Sequence, residues 1–490
     1  MNRPLFTLLF IFSIVSTSAQ ELLTLSKAME IAAQNSPDLK QSLLSVQRSE
    51  ANLNAEEAGT KTQFDLDLDP ISYAISRRYS QDLSTWKTTE NLTSMGELSI
   101  SQPILLTDAT IGLTNSFGWQ YNYDELGSGD GINKFFFNNL ALRLDQPLFT
   151  ANEQKMTLKE LELDLEDTQI SYALQKLSLE SSITQGFYSV YQNQMQLIIA
   201  QAEYDNQKKS FEIIKNKVEG GLVAREELYQ AEVNLATSQS SLQNAIVNLE
   251  DQKDDFRVLI GVGFDFDFTA LVNVQSDSVP IDLTMAIDHA LTVRQELRQR
   301  EIDIETAQFN LLRTKNDDKF SGNLSLKVGL DGDNENLGRV YESPTTTPNI
   351  GLSFQVPIID WGQRKSKIRS AELSIESQEI NLTNERIDIV KSIRSLHRSL
   401  QNQLIQIDIA EQNVRNAQLT YDINLERYEN GDLTSMDLQL FQDQLSEKRI
   451  AQTNAIISYK IELLNMKIQT LYDWETREDY VPEGLFVVKE

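Results

Sequence analysis

The chain of 490 residues has no cysteine, two histidines and 72 acidic against 44 basic side chains, which gives a formal net charge of −28. Lack of cysteine excludes disulfides, thiolate metal ligands and cysteine nucleophiles, and the acidic balance argues against nucleic acid as a partner. His289 and His397 lie far apart in helix-like segments, and the sequence has no phosphate-binding loop or nucleophile elbow. We therefore expect no metal, no cofactor and no enzyme activity.

The first 19 residues have the pattern of a secretory signal peptide. Arg3 precedes an apolar run from Leu5 to Val15, and four small residues follow before Gln20. The run is too short to span a bilayer. Residues 1–19 are therefore expected to be removed on export.

The remaining sequence consists of two similar halves. Residues 142–260 align with residues 352–470 at a constant offset of about 210 without a gap, so that Pro147 matches Pro357 and Gly221 matches Gly431. We predict a first structural repeat over residues 20–260, a second over 281–475 and a tail over 476–490. Each repeat is predicted to contain a helix, strands, a long helix, a turn and another long helix.

A short helix opens each half, over residues 26–58 and 283–315. Pro37 is expected to break the first of these after Asn35, because proline removes a helical hydrogen bond. Strict apolar and polar alternation follows, as in Phe64, Leu66 and Leu68, which is typical of strands.

Four core strands are predicted, two in each half, around residues 64–68, 140–144, 324–330 and 350–356. Their length and the aromatic residues near their ends favour a lipid-facing barrel over a soluble sandwich. About four strands in a chain are too few to close a barrel with an open lumen, so several chains must share one. Two similar halves in each of three chains give a pseudo-six-fold ring.

Residues 77–134 have no counterpart in the second half. They contain two further strand-like runs, Glu97 to Leu105 and Thr110 to Tyr123. This insertion is either an extra barrel hairpin or an extracellular decoration, and the pattern favours neither.

Two unbroken stretches predict very long helices. From Gln363 to Asn430 there is neither proline nor glycine, and the stretch before Gly220 contains one glycine. A helix of about 66 residues extends for about 100 Å and needs a partner along its whole length. Apolar residues at alternate steps of three and four indicate coiled-coil packing. The glycines at 220, 221 and 431 tolerate positive φ, so each long helix is predicted to fold back as a hairpin.

Together these features resemble the TolC-like outer-membrane efflux protein family over essentially the whole mature chain. The residues that carry the resemblance are Asn35-Ser36-Pro37-Asp38-Leu39, the strand-to-helix junctions around Pro147 and from Val356-Pro357 to Gly362, and the turns Gly220-Gly221-Leu222-Val223 and Tyr428-Glu429-Asn430-Gly431. The resemblance implies a mixed fold, in which a trimeric transmembrane β-barrel of twelve strands is continued by a long α-helical coiled-coil barrel in the periplasm.

The resemblance also implies a function and partners. The homotrimer would be an exit duct in the outer-membrane lipid, docked to a periplasmic adaptor and to an inner-membrane pump of the RND, ABC or MFS type. It would conduct substrates of an efflux or type I secretion system to the exterior. The alternative is a secreted coiled-coil scaffold or adhesin without a pore.

The resemblance further implies a periplasmic constriction at the second turn. Tyr428 and Asp437 match the family's constriction positions, whereas its arginine and second aspartate are replaced by Leu433 and Leu440, for which Asp432 and Asp443 are candidate substitutes. Three copies of Asp437 around a narrow mouth would favour cations; alternatively, Asp437 is a solvated residue at a helix start. The positions expected to form the helical-hairpin turns and contact the adaptor are Gly220, Gly221, Leu222, Val223, Gly431, Leu433 and Thr434.

Overall fold

The computed structural model describes residues 21–81, 84–125, 131–272 and 278–480. The expected signal peptide lies outside these ranges, as does the end of the tail after Tyr480. The chain divides into two compact units. We call the described parts of Met1–Leu44, Ile170–Gln295 and Glu385–Glu490 the helical unit, and Ser45–Gln169 with Glu296–Asn384 the sheet unit.

Eight α-helices account for most of the described residues. In chain order they are α1 (Leu25–Asn35), α2 (Pro37–Gly59), α3 (Glu153–Glu219), α4 (Arg225–Ile260), α5 (Leu283–Val293), α6 (Gln295–Asn316), α7 (Gln363–Asn430) and α8 (Ser435–Thr470). The long helices α3 and α7 have 67 and 68 residues, which confirms the predicted length. None of the helices in the described part of the chain has an apolar stretch of the length that a bilayer crossing requires.

The strands fall into one large and two small sheets. In chain order they are β1 (Glu21–Leu23), β2 (Gln63–Ser80), β3 (Thr85–Ile104), β4 (Ala109–Asp124), β5 (Ile132–Leu148), β6 (Phe268–Ala270), β7 (Ser321–Asn334), β8 (Thr345–Gln355), β9 (Tyr472–Asp473) and β10 (Glu478–Asp479). A 3₁₀ turn, Leu337–Arg339, lies between β7 and β8. β1 pairs with β6 and β9 with β10, and the six remaining strands form a single sheet.

The short helices differ between the two halves in how they are interrupted. In the first half α1 ends at Asn35 and α2 begins at Pro37, as the proline predicts. In the second half the predicted helix is also divided, at Arg294, where no proline stands and the backbone is extended. The Arg294 guanidinium donates to Gln469 of α8, so a tertiary contact accompanies this break.

The helical unit is held together by two apolar clusters. The first joins α1, α3 and α4 to β1 and β6, around fully buried Phe187, Phe256 and Phe268. The second lies near the turns and joins α3, α4, α7 and α8, around Ile214 and Leu438. Many of the predicted coiled-coil positions are buried in these helices, which supports the apolar seams; the buried ones include Ile183, Val190, Leu242, Leu249, Ile393, Leu400, Ile407, Leu445 and Met466.

The large sheet of the sheet unit has the order β2-β3-β4-β5-β7-β8, with every neighbouring pair antiparallel. The expectation of about four strands per chain is therefore wrong, because the insertion supplies β3 and β4. The sequence underestimates β3, since most residues of its first half, from Thr85 to Thr93, are polar. Their pairing with β2 comes from the backbone and is hidden from a pattern based on side chains.

The register of the sheet separates two chemically distinct faces. Neighbours in register point to the same side of a sheet, and successive residues of a strand point to opposite sides. One row across five strands is Phe64, Ile100, Leu113, Leu142 and Val328, all apolar. A row on the opposite face is Asp67, Glu97, Ser116, Asn139, Asp331 and Thr345, all polar. The predicted alternation is thus confirmed and extends across all six strands.

The sheet unit also has ion pairs between α6 and the first part of α3. Arg298 of α6 is bound to Glu166 of α3 at 2.6 Å and to Glu305 of its own helix at 2.9 Å, and Arg313 of α6 is bound to Glu153 and Glu160 of α3. The register of the two helices is fixed because Arg298 and Arg313 bind carboxylates of α3 at two separate levels.

Candidate functional site at the helical turns

The two helical hairpins turn in the same way. In the first turn Gly221 has φ +71°, the Gly221 amide donates to the Val218 carbonyl, and the Leu222 amide donates to the Lys217 carbonyl. In the second turn Gly431 has φ +89° and its amide donates to the Tyr428 carbonyl. The Asp432 amide donates to the Arg427 carbonyl, which completes the same arrangement. These are helix C-terminal caps that place glycine in the left-handed region.

Tyr428 connects α7 to α3 at the second turn. Its ring is 4% exposed, and its hydroxyl lies 3.0 Å from the Ser210 hydroxyl. Burial raises the pKa of the Tyr428 phenol, the Ser210 hydrogen bond lowers it, and the charge of Glu227 raises it again. The phenol is thus neutral at physiological pH and acts as a hydrogen-bonding and packing group.

Lys217 adds a second connection to the same tyrosine. The Lys217 ammonium donates to the Tyr428 carbonyl at 3.3 Å and lies 5.4 Å from the centre of the Tyr428 ring. A cation over an aromatic ring is attracted to its negative face. The first turn therefore contacts the second through both the backbone and the side chain of Tyr428.

Asp437 belongs to a helix cap. It lies in the first turn of α8, its amide donates to the Thr434 hydroxyl at 3.2 Å, and that hydroxyl lies 2.8 Å from the Asp437 carboxylate. An acidic residue here is favoured by the helix dipole. The carboxylate remains exposed, so the capping contact leaves it accessible to ions in solution.

A cleft at the turns brings together most of the residues that the sequence identifies there. Its lining includes Val223, Tyr428, Gly431, Asp432, Leu433, Thr434 and Asp437. Leu433 also packs against the apolar cluster of this region. Gly220, Gly221 and Leu222 form the first turn and are outside the lining of this cleft.

Sequence analysis missed four polar residues at this site. The cleft is also lined by Lys217, Glu227 and Ser435, and Ser210 binds Tyr428. The Ser435 hydroxyl donates to the Glu227 carboxylate at 3.1 Å, which links the starts of α8 and α4. The internal repeat, with its offset of about 210, aligns Lys217 with Arg427, and this was a sequence signal for the lysine. Contacts between helices that far apart in the chain cannot be predicted from a local pattern.

A polar layer crosses the coiled coil near the turns. The Gln207 amide donates to Gln439 and, at 3.2 Å, to Gln442, and Gln442 in turn donates to the Glu203 carbonyl. Burial raises the pKa of the Glu203 carboxyl, and the charge of Asp443 raises it further. Burial also raises the pKa of Asp443, although a bond from Gln439 at 2.6 Å opposes this. Asp443, the candidate substitute in the constriction, thus belongs to this layer.

The strand-to-helix junctions lie in the sheet unit. Pro147 is the second-last residue of β5, and Pro357 follows β8 in the segment that leads to α7. Gly362 has φ +83°, and its amide donates to the Asp360 carboxylate at 3.0 Å. Asp360 also accepts from the Arg364 amide, so it caps the start of α7, and these backbone hydrogen bonds lower the pKa of Asp360. The junction residues are therefore structural.

No cluster of three or more histidine, aspartate or glutamate side chains suited to a metal ion occurs among the described residues. The His289 ring instead lies 2.7 Å from the Thr470 carbonyl and 3.1 Å from the Asp479 carboxylate. It thereby connects α5 to the end of α8, as a packed helix residue.

The chain thus combines a six-stranded sheet, apolar on one face, with two long helical hairpins. Residues 286–467 match the family model described as Outer membrane efflux protein. The chain is 20% identical to Outer membrane protein TolC of Salmonella enteritidis over 367 residues, which cover 73% of each protein.

Solved structures of similar fold include the Campylobacter jejuni CmeC outer membrane channel, with a TM-score of 0.65, 18% identity and coverage of 94% of this chain and 87% of that one. The open state of the Neisseria gonorrhoeae MtrE outer membrane channel has a TM-score of 0.66, 13% identity and coverage of 94% and 91%. The comparisons confirm the resemblance to the TolC-like outer-membrane efflux proteins.

Proposed function

We propose that three copies of the mature chain form a passive exit duct in the cell outer membrane. The sheet unit would supply the membrane-spanning wall, and the helical unit would lie in the periplasm. The observation that carries the proposal is the division of a six-stranded sheet into one apolar and one charged face.

The exposure of the apolar face supports a lipid environment. Phe64, Leu66 and Ile350 are 68%, 64% and 79% exposed. A continuous apolar surface on this scale is costly in water, at about 25 cal/mol for each square ångström. Hydrocarbon on one side and water on the other would satisfy both faces of the sheet.

Aromatic residues flank the apolar face at both ends. One end has Trp119 opposite Phe136, with Tyr121 beyond them, and the other has Phe354 stacked on Phe320 at 5.6 Å. Along β5, the distance between these levels is about 40 Å, or about 28 Å across a membrane at a strand tilt of 45°. That height suits the apolar band of an outer-membrane barrel.

The helical turns are proposed to form the periplasmic constriction and to contact the adaptor. Tyr428, Asp432 and Asp437 would line the mouth, with the bonds from Ser210 and Lys217 to Tyr428 holding the two hairpins together. The adaptor would contact the turn residues Gly220, Gly221, Leu222, Val223, Gly431, Leu433 and Thr434. Leu222 is 77% exposed at the first turn, which supports such a contact.

The matching hydrogen bonds of the two turns support the internal repeat. In a trimer, two similar hairpins in each chain would present six similar helical ends to the adaptor and pump. The pump, of the RND, ABC or MFS type, would supply the energy, since a duct only conducts. A secreted scaffold without a pore would leave the exposed apolar face unexplained.

Reconstitution tests the proposal directly. The mature chain, purified in detergent, is expected to have the mass of a trimer and to produce discrete conductance steps in planar lipid bilayers. Chains with the Leu66→Lys and Ile350→Lys substitutions, which place charge on the apolar face, should assemble poorly in lipid, because a lysine facing the bilayer centre costs about 2 to 4 kcal/mol. A water-soluble monomer without conductance would overturn the duct.

A further inference from the structure

The insertion forms part of the main sheet and is not a decoration beside it. β3 pairs with β4 from Ile104 opposite Ala109 to Thr89 opposite Asp124. β4 pairs with β5 from Thr110 opposite Asp145 to Tyr123 opposite Ile132. Both pairings extend along nearly the full length of the neighbouring strands, so the hairpin of β3 and β4 separates β2 from β5 completely.

The hairpin also continues both faces of the sheet. On the apolar side Ile100 and Leu113 stand in the row between Phe64 and Leu142. On the polar side Glu97 and Ser116 share a row with Asp67, and the Ser116 hydroxyl donates to Glu97 at 2.5 Å. A decoration outside a barrel wall would not need to reproduce the alternation of the wall on both sides.

The outer strands β2 and β8 have complementary directions. Five antiparallel pairings separate them, so β2 and β8 are themselves antiparallel. Within the described sheet each has one neighbour only, and almost all residues of both strands are exposed. Unpaired edges of this length invite further pairing, and closure into a barrel removes them.

We propose that β2 pairs with β8 of a second copy of this chain, so that three copies close a wall of eighteen strands and not the twelve of the family pattern. The inference rests on the proposed trimeric duct and specifies its width. An even number of strands in each copy keeps the pairing antiparallel all round the ring, and the apolar row continues from copy to copy.

The two strand numbers give different widths. With strands about 4.8 Å apart and tilted by about 40°, the backbone diameter is about 24 Å for twelve strands and about 36 Å for eighteen. Equivalent backbone points of three copies are then separated by about 21 Å or about 31 Å, respectively. The difference of about 10 Å is large enough to measure.

Pulsed electron spin resonance on the assembled protein tests the width. The chain has no cysteine, so Asn349→Cys on β8 gives one spin label in each copy. Asn349 is in register with Lys327 on the charged face, so the label points toward the proposed lumen and its arm shortens the measured distance. After correction for the arm, a backbone separation near 31 Å in the trimer is expected for the wider wall. A corrected separation near 21 Å in a trimer would overturn the inference and leave the duct intact, whereas a monomeric mass would overturn the duct itself.

A deletion variant provides the matched control. Ile75 and Ile132 stand at the same level of the sheet, since both are connected through Glu90 and Tyr123. Replacing residues 76–131 by Asn-Gly would join β2 directly to β5 as an antiparallel hairpin. The label distance should fall by about 10 Å in this variant. An unchanged distance would place the hairpin outside the wall, and the full-chain measurement decides the matter if the variant does not assemble.

Discussion

At the scale of single residues, Tyr428 is the group that most directly couples the two hairpins. Its hydroxyl meets Ser210 of α3, and its carbonyl accepts from Lys217. Because burial keeps the phenol neutral, this contact is insensitive to pH in the physiological range. If the turns form the constriction, loss of the contact between Tyr428 and α3 should destabilise the closed state.

Tyr428→Phe should increase the open probability of the reconstituted channel. The substitution removes one neutral hydrogen bond, worth about 1 kcal/mol, and keeps the ring in place. Single-channel recording measures the change, with Tyr421→Phe, seven residues earlier in the same helix, as the control. Equal open probabilities for the two variants would show that the Ser210 bond does not restrain the mouth.

Asp437 caps the start of α8 and is proposed to line the mouth, and one substitution can separate these two roles. Asp437→Asn keeps a side chain that can accept from the Thr434 hydroxyl but removes the negative charge. If three copies of Asp437 surround the mouth, the variant should have a lower cation-to-anion permeability ratio and weaker block by multivalent cations. Reversal potentials in a salt gradient measure the ratio, and Asp432→Asn provides the comparison at the same cleft. Selectivity that is unchanged would leave Asp437 only its capping role.

At the scale of elements, the glycines of the hairpin turns differ in whether their backbone conformation requires glycine. Gly221 and Gly431 have positive φ with open space around an added Cβ, whereas Gly220 does not have positive φ. Gly431→Ala and Gly221→Ala should each lower the free energy of unfolding of the helical unit by about 1 kcal/mol, through backbone strain alone. Gly220→Ala should have little effect. Urea titration followed by circular dichroism provides the comparison, and equal effects at positions 220 and 221 would contradict the assigned turn geometry.

The polar layer of the coiled coil should make the helical unit more stable at acidic pH. The folded-state pKa of Glu203 is raised above its ordinary value of 4.5, mainly by burial. Its contribution is therefore fully present below about pH 4.5 and is lost as pH rises through the raised value. Glu203→Gln should flatten this part of the pH dependence of urea unfolding, whereas Glu212→Gln, exposed on the same helix, should not. If the Glu203→Gln variant kept the pH dependence of the wild-type chain, the polar layer would not be the cause of that dependence.

Some of these element boundaries could be predicted from the sequence and others could not. Apolar periodicity and proline place the long helices and the end of α1, because those signals are local. The division at Arg294 is accompanied by a contact with Gln469, and the first half of β3 is paired with β2 through the backbone, so neither has a local signal. Likewise Tyr428 is indicated by the family resemblance, whereas Ser210 enters the site only through packing of α3 on α7.

At the scale of the whole molecule, the charged face of the sheet is unusually acidic. Its carboxylates are Asp65, Asp67, Asp69, Glu97, Asp124, Asp145, Asp331 and Asp333, against the cations Arg78, Lys87, Arg143 and Lys327. Asp67 and Glu97 stand directly opposite each other on β2 and β3. Like charges in register destabilise a sheet, so water must solvate them. A water-filled lumen would provide that solvation and would gain an electrostatic preference for cations.

Glu97→Gln should therefore have opposite effects on stability and on selectivity. Removing one of two facing charges should stabilise the sheet by a few tenths of a kcal/mol, on the order of 0.2 to 1, while the cation preference of the channel falls. Glu90→Gln is the matched control, because Glu90 lies on the same strand but on the opposite face, where its carboxylate binds the Tyr73 hydroxyl at 3.0 Å. Thermal unfolding and reversal potentials measure the two effects on the same trimers. If Glu90→Gln altered selectivity as strongly as Glu97→Gln, the assignment of the two faces to lipid and lumen would be wrong.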